Sequence, residues 1–218
     1  MEVITTLARV VPSRPGKPVR AGATEQQLAV RAALLGEQPW TVERASEVAA
    51  RFDELAPTWD GERGGYRRAP AEDALERGGP FTEGLCVEIG CGTGLLTPLL
   101  EAVWSPVLGV DLSPGMLRRS RSALRVRADG ARLPVPDRGA SAVVIGDAPL
   151  FASEVVRVLR PDGAVVWSNA LGDGAPFYVT TTALLSALAA ASGSTWCALE
   201  SEAGWGSWAV LRRQAAPA

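Results

Sequence analysis

A glycine-rich segment with carboxylates on both sides is the part of this chain best suited to bind a ligand. Residues 88–94 read EIGCGTG, and Asp111 follows farther along the chain. Glycines let a ligand approach backbone N–H groups, and a glycine turn between a strand and a helix is typical of nucleotide-like ligand sites. Glu88 could bind a cationic group, and Asp111 could bind the two hydroxyls of a ribose. A glycine turn without any ligand would also fit this pattern.

The spacing of the glycines distinguishes between ligand classes. It is GxGxG here, whereas the dinucleotide fingerprint is GxGxxG. A nicotinamide-dependent oxidoreductase would also carry a carboxylate at the position of Asp111, so that residue alone does not discriminate. The loop spacing and Glu88 disfavour the oxidoreductase.

The composition excludes several kinds of active site. The chain has no histidine, which removes histidine metal sites, histidine-based triads and a histidine general base. Its three cysteines lack CxxC spacing, so we predict no metal. The net charge of −2 argues against a nucleic-acid partner. No apolar run reaches the ~20 residues of a membrane span, and no signal peptide is evident, so we expect a cytoplasmic protein.

Strands and helices alternate from residue 84 onward. The expected strands are 85–89, 107–110, 124–128, 142–145 and 164–168, and the expected helices between them are 95–103, 113–124 and 151–159. This alternation predicts an α/β, Rossmann-like, doubly wound and mostly parallel sheet. After a helix over 177–191, the strand-like runs 194–201 and 206–213 predict a C-terminal antiparallel hairpin.

The chain divides into three expected parts. Residues 1–23 are rich in Pro, Gly and Arg and are predicted to form a flexible arm. Residues 24–80 are predicted to form a helical lid, with one helix after a capping box at Thr24 and another from Thr41 to Leu55. Within it, residues 56–70 are expected to be a loop and residues 71–77 a short helix. Residues 81–218 form the expected core.

Four motifs carry a resemblance to a known family. They are residues 87–94, 109–117, 128–134 and 154–163. In this order and spacing they resemble class I S-adenosylmethionine-dependent methyltransferases, specifically the small-molecule and quinone group. The resemblance implies the strand order 3-2-1-4-5-7-6 for the core. The basic residues are almost all Arg, which suggests GC-rich coding as in actinobacteria.

The resemblance implies S-adenosylmethionine as cofactor and assigns residues to it. Those implied to hold its methionine part are Glu88, Gly90, Cys91, Gly92 and Gly94. Those implied to surround its ribose and adenine are Asp111, Leu112, Met116, Asp129, Gly130 and Ala131. Judged from the residues alone, Asp129 also fits a turn, Cys91 a small filler and Met116 a core position.

Gly146 and Asp147 would face the sulfonium and the substrate, and Asp147 is the best-placed candidate base. Only six residues separate Asp147 from Glu154, where relatives place a loop and a short helix that form one wall of the substrate pocket. The N-terminal helices, residues 171–177 or a second subunit could replace that wall. Trp59 and Tyr66 are candidates for covering the cofactor or stacking on an aromatic substrate. Trp59 could equally pack the lid onto the core.

Together these features predict an enzyme that transfers a methyl group from S-adenosylmethionine to a small molecule by in-line displacement, with an O or C nucleophile favoured. The alternative is a non-catalytic or regulatory S-adenosylmethionine-binding protein of the same fold, which the shortened segment after Asp147 favours. An exposed tryptophan in the C-terminal hairpin would indicate a homodimer surface.

Overall fold

The computed structural model describes residues 3–13, 15–16, 38–175 and 177–214. The helix expected after Thr24 lies outside these residues. The strands are β1 Val3–Thr6, β2 Cys86–Ile89, β3 Val107–Asp111, β4 Leu124–Arg127, β5 Ala140–Gly146, β6 Leu159–Asn169, β7 Trp196–Ala203 and β8 Gly206–Arg213. The helices are α1 Val42–Leu55, α2 Trp59–Arg77, α3 Thr97–Glu101, α4 Pro114–Leu117, α5 Ala152–Val158 and α6 Thr181–Ser192, and a 3₁₀ turn spans Gly172–Gly174.

The described strands form one sheet in the order β1-β7-β8-β6-β5-β2-β3-β4. Counted from β2, this is the predicted order 3-2-1-4-5-7-6. Every pairing is parallel except those of β8, which runs antiparallel to both β6 and β7. The central strands β2 and β5 are buried almost throughout, as expected for parallel strands covered on both faces. The predicted Rossmann-like fold and C-terminal hairpin are confirmed.

The start of the chain adds a strand to this sheet, where the sequence indicated a flexible arm. Val3–Thr6 pairs in parallel with β7, in the register Val3 to Cys197. The Thr6 hydroxyl donates a hydrogen bond to Glu200 at 2.9 Å. The short apolar run at the start of the chain therefore extends the sheet by pairing with an edge that β7 would otherwise expose.

The helix α2 runs without a break through residues expected to be a loop. Glycines and Pro70 lower helix propensity here, which is why the sequence indicated a loop over 56–70. Packing against the sheet overrides that preference. Ala71 and Ala74 are buried, and buried Asp73 accepts a hydrogen bond from the indole Nε1 of Trp208 in β8 at 2.6 Å. The C-terminal half of α2 is thereby fixed to the sheet.

The helix α1 is held against the segment that follows β3. Thr41 caps its N-terminus by accepting from the N–H of Arg44. Near its other end, Asp53 Oδ1 accepts from the Gly115 N–H at 2.6 Å and from the Ser113 hydroxyl at 2.5 Å. The helix α1 thus lies beside the segment that follows the carboxyl end of β3. Along the part of the chain that the structure describes, each helix is too short or too polar to cross a bilayer.

Candidate functional site

A cleft of about 920 Å³, including its open mouth, lies at the carboxyl ends of β2, β3 and β5. This is the position at which open α/β sheets bind ligands. The residues predicted from the sequence that line it are Trp59, Glu88, Gly90, Cys91, Gly92, Asp111, Leu112, Met116, Gly130, Gly146 and Asp147. The structure therefore brings most of the predicted site together in one cavity.

The glycine turn is held in place by the neighbouring strand. The N–H groups of Gly90 and Cys91 both donate to the Val110 carbonyl, at 2.8 and 3.1 Å. Gly90 has a φ of +70°, and a Cβ there would lie 2.5 Å from the Cβ of Ala148. Both its backbone conformation and its close approach to the loop after β5 require glycine.

Asp111 fixes the same turn from the end of β3. Its two carboxylate oxygens accept from the N–H groups of Gly92 and Ser113, each at 2.8 Å. Burial raises the pKa of Asp111 above its ordinary value. Each carboxylate oxygen has two lone pairs, so both can still accept from a ligand hydroxyl in the cleft.

Glu88 is the most deeply buried acid of the cleft. Its Oε2 accepts from the Thr97 hydroxyl at 2.6 Å. Burial, with a smaller contribution from the charge of Asp111, raises the pKa of Glu88 to about 8. A cationic ligand group nearby would favour the ionised carboxylate, because opposite charges attract strongly in a buried site.

Cys91 and Met116 line the cleft with apolar surface. Met116 is also fully buried, so it serves the helix core and the cavity wall together. Burial raises the pKa of the Cys91 thiol well above its ordinary value. A thiol that stays protonated is a poor nucleophile, which agrees with its interpretation as a small filler.

Gly94 lies near the cleft but does not line it. A Cβ at this residue would come within 2.8 Å of the Arg121 backbone nitrogen. The Arg121 N–H donates to the Thr93 carbonyl at 3.0 Å, which turns the chain back toward the glycine loop. The helix expected over 113–124 spans only Pro114–Leu117.

Asp129 and Ala131 also lie outside the cavity lining, although Ala128 and Gly130 line it. Asp129 Oδ1 accepts from the Ala131 N–H at 2.9 Å, which is the turn geometry that the sequence also allowed. Its Oδ2 accepts from the indole Nε1 of Trp40 at 2.9 Å. The carboxylate thus positions Trp40, a lining residue that the sequence analysis missed.

Tyr66 is not brought to the cleft. Its ring packs on that of Trp205 in the turn between β7 and β8, with centroids 5.5 Å apart. Trp59, the other aromatic residue predicted for the lid, lines the cleft and makes an edge contact with Phe52 at 5.6 Å.

Asp147 adopts a left-handed backbone conformation just after β5. Its φ of +51° is unusual for a residue other than glycine. One carboxylate oxygen is 3.0 Å from Nη1 of Arg67, and the other accepts from the Ala170 N–H at 3.2 Å. Both oxygens thus connect the end of β5 to α2 and to the residue after β6, and the role of Asp147 as a base stays a prediction.

The wall that the short segment after Asp147 leaves open is supplied by the N-terminal helices, the residues just before them and Phe177. The residues that line the cleft there are Trp40, Val48, Phe52, Trp59, Arg67 and Phe177, and the last of these belongs to residues 171–177, a second candidate named from the sequence. Trp40 contacts Phe151 edge-on at 5.1 Å, which joins the lid to the shortened segment. The sequence named the N-terminal helices as one candidate for this wall, but it carried no signal for Arg67, which is 80 residues from its partner Asp147.

The cleft fits S-adenosylmethionine by its chemistry. A crowded glycine turn leaves backbone against the cavity at one end, and the carboxylates of Asp111 and Glu88 suit a ribose and a cationic amino acid. Leu112, Met116 and Phe151 offer apolar surface for a flat base.

Comparison with known proteins agrees with this geometry. Residues 87–167 match the model of a methyltransferase domain. Malonyl-[acyl-carrier protein] O-methyltransferase from Serratia marcescens is 30% identical over 133 residues, which are 56% of this chain and 52% of that protein. Demethylmenaquinone methyltransferase from Corynebacterium kroppenstedtii is 31% identical over 130 residues, 54% of this chain and 57% of that protein. The chain thus spans about half the length of these curated relatives.

Among solved structures, the DhpI–SAH complex has the same fold. Its TM-score is 0.63 at 20% sequence identity, over 79% of this chain and 98% of that one. By its domain match over residues 87–167 and by its fold, the chain is similar to class I S-adenosylmethionine-dependent methyltransferases.

Proposed function

We propose that this protein transfers a methyl group from S-adenosylmethionine to a small-molecule acceptor. The observation that carries the proposal is the single cleft that joins the glycine turn and its carboxylates to a wall of lid residues. One part of the cleft suits the cofactor, and residues of the lid line the rest. When bound, S-adenosylmethionine supplies a methyl carbon that an acceptor lone pair attacks while the carbon–sulfur bond breaks.

The chain's own residues would bind, orient and exclude water. Glu88 and the turn at Gly90 and Gly92 would hold the amino acid part, and Asp111 would hold the ribose hydroxyls. Phe52 and Trp59 would cover the reacting atoms, because displacement at carbon depends on positioning and desolvation.

An oxygen or carbon nucleophile remains our preferred acceptor class. Malonyl-[acyl-carrier protein] O-methyltransferase, the relative from Serratia marcescens, is named for transfer to oxygen. A cytoplasmic location, the absence of a nucleic-acid partner and a homodimer also remain predictions.

Substitution of Asp111 tests the cofactor assignment. We expect Asp111→Ala to weaken S-adenosylmethionine binding at least tenfold by calorimetry, because a hydrogen bond to a charged group contributes about 1.5–3 kcal/mol. Asp137→Ala is the matched control, since the Asp137 side chain is 77% exposed and lies outside the cleft. Equal affinities of the two variants would refute the ribose assignment.

Turnover separates the enzyme from a regulatory protein of the same fold. The wild-type protein, a cell metabolite extract and methyl-labelled S-adenosylmethionine should yield S-adenosylhomocysteine together with a labelled small molecule. Tight cofactor binding without any labelled product would favour the regulatory alternative.

A further inference from the structure

Trp40 reaches the cleft from a position just before the helix α1. Thr41, the next residue, caps that helix. The Arg44 side chain donates from Nη1 to the Pro39 carbonyl at 2.8 Å and from Nη2 to the Gln38 side-chain oxygen at 2.9 Å. These bonds tie residues 38 and 39 to the first turn of α1. The backbone at Trp40 is therefore fixed on both sides.

The indole ring of Trp40 is held by two contacts. Its Nε1 donates to Asp129 Oδ2 at 2.9 Å, and the ring meets Phe151 edge-on, with the two planes at 64°. Nε1 is the one polar atom of an indole, so the surface that Trp40 offers to the cleft is apolar. The other oxygen of Asp129 accepts from the Ala131 N–H, and Asp129 does not itself line the cleft.

The order of the strands places this ring at the base end of a bound cofactor. The glycine turn follows β2, Asp111 ends β3, and β4 is the next strand of the sheet. A cofactor with its amino acid part at the turn and its ribose at Asp111 therefore extends its base toward the end of β4. Asp129 and Gly130 follow that strand, and Gly130 lines the cleft. Trp40, which Asp129 holds, lies at the same end.

We propose that Trp40 binds the adenine of S-adenosylmethionine with its ring, and that Asp129 is a positioning residue that acts on the adenine through Trp40. This inference rests on the proposed function and assigns two residues of its cofactor site. A flat aromatic surface suits a purine, because aromatic rings and bases stack or meet edge-on. The hydrogen bond from Nε1 to Asp129 sets the orientation of that surface.

Fluorine NMR of protein labelled with 5-fluorotryptophan reports on the ring directly. The chain has seven tryptophans, and the resonance that disappears in Trp40→Phe belongs to Trp40. We expect S-adenosylhomocysteine and adenosine to shift this resonance, and homocysteine, which lacks the base, to leave it in place. The resonance of Trp104 is the internal control, since Trp104 is buried against Phe81 outside the cleft.

A double-mutant cycle measured by calorimetry tests the role of Asp129. Trp40→Phe and Asp129→Asn should each lower S-adenosylhomocysteine affinity about tenfold, because each removes a hydrogen bond to a charged group. Asp129→Asn keeps an oxygen for the Ala131 N–H. The double variant should bind no more weakly than the weaker single variant, because both changes break the same bond. Trp104→Phe, which removes a hydrogen bond to the Thr82 carbonyl outside the cleft, should leave the affinity unchanged.

Three results would overturn the inference. They are a Trp40 resonance that bound S-adenosylhomocysteine leaves unshifted, an equal shift by homocysteine, and losses of affinity that multiply in the double variant, as they would if Asp129 contacted the adenine itself. Failure of the proposed function would look different, because S-adenosylhomocysteine would then not bind the wild-type protein. Thermal unfolding of each variant shows whether a lost affinity reflects a lost fold.

Discussion

At the scale of single residues, the buried acids of the cleft couple ligand binding to protonation. Glu88 has its pKa raised to about 8, chiefly by burial, so it is largely protonated in the empty cleft at neutral pH. A cationic ligand group would draw it toward ionisation. The same residue therefore sets how the stability of the empty protein responds to pH.

Replacing Glu88 by Gln should flatten that response. The folded-state pKa of Glu88 lies above the ordinary value of 4.5, so its contribution to stability is full below about pH 4.5 and is lost as pH rises to about 8. The slope for one such group is at most about 1.4 kcal/mol per pH unit. We expect Glu88→Gln to gain stability relative to wild type between pH 5.5 and 8.5, measured by urea unfolding.

The exposed Glu47 of α1 provides the control for this measurement. The free energy of unfolding of Glu47→Gln should show the same dependence on pH as that of the wild-type protein. If the free energies of unfolding of Glu88→Gln and wild type changed with pH in parallel, the conclusion that Glu88 is buried in its uncharged form would be wrong.

Sequence reasoning identified residues whose role is local to a motif. Glu88 and Asp111 lie at or next to the carboxyl ends of β2 and β3, and Gly90 follows β2, so their types and spacing already predict a shared cleft. The ion pair of Arg67 and Asp147 joins positions 80 residues apart, and it depends on how α2 packs. No local pattern contains that information.

At the scale of elements, the glycine turn and the loop after β5 are packed against each other. The strand β2 delivers Gly90, and β5 delivers Ala148 to a place where a Cβ on Gly90 would be only 2.5 Å from it. The pairing of β2 with β5 sets that separation, so the turn cannot relax without moving a central strand.

Gly90→Ala should weaken both the fold and cofactor binding. The positive φ costs an alanine about 1–2 kcal/mol, and the contact with Ala148 adds to that cost. Gly193→Ala is a matched control, because Gly193 has a φ of +65° and nothing within 4 Å of its added Cβ. Calorimetry and chemical unfolding should show an affinity loss above tenfold for Gly90→Ala and only a stability loss for the control. Similar affinities for both variants would contradict crowding at the turn.

The boundaries of elements were harder to predict than their order. The alternation from residue 84 predicted the sheet correctly, because a parallel sheet imposes it on the whole segment. The helix α2 was missed over 59–70, since glycines and Pro70 oppose a helix that contact with the sheet stabilises. The first strand was missed because its partner β7 lies nearly 200 residues later.

At the scale of the whole molecule, α2 connects the sheet to the cleft. Its C-terminal half is attached through Asp73, whose carboxylate accepts from Trp208 at 2.6 Å and from Arg77 at 2.5 and 2.7 Å. Its N-terminal half carries Trp59 and Arg67 to the cavity. The position of the lid therefore depends on the polar cluster of Asp73, Arg77 and Trp208 between α2 and the sheet.

Asp73→Ala should destabilise the protein by about 3 kcal/mol, because it leaves Arg77 and the Trp208 indole without their buried partner. Glu72→Ala is the control, since exposed ion pairs contribute at most about 1 kcal/mol. Unfolding in guanidinium chloride at neutral pH measures the free energy of unfolding of both variants. Equal stabilities would show that the cluster does not hold α2 in place.

The wall that α1 and α2 contribute has a consequence for how such proteins diversify. The segment that matches the methyltransferase domain begins at residue 87, whereas Phe52, Trp59 and Arg67 precede it. If these residues choose the acceptor, substrate preference is inherited separately from the cofactor machinery. A chimera that joins residues 38–80 of this chain to another member's core would then carry the preference with it, and relatives with nearly identical glycine motifs could modify unrelated molecules.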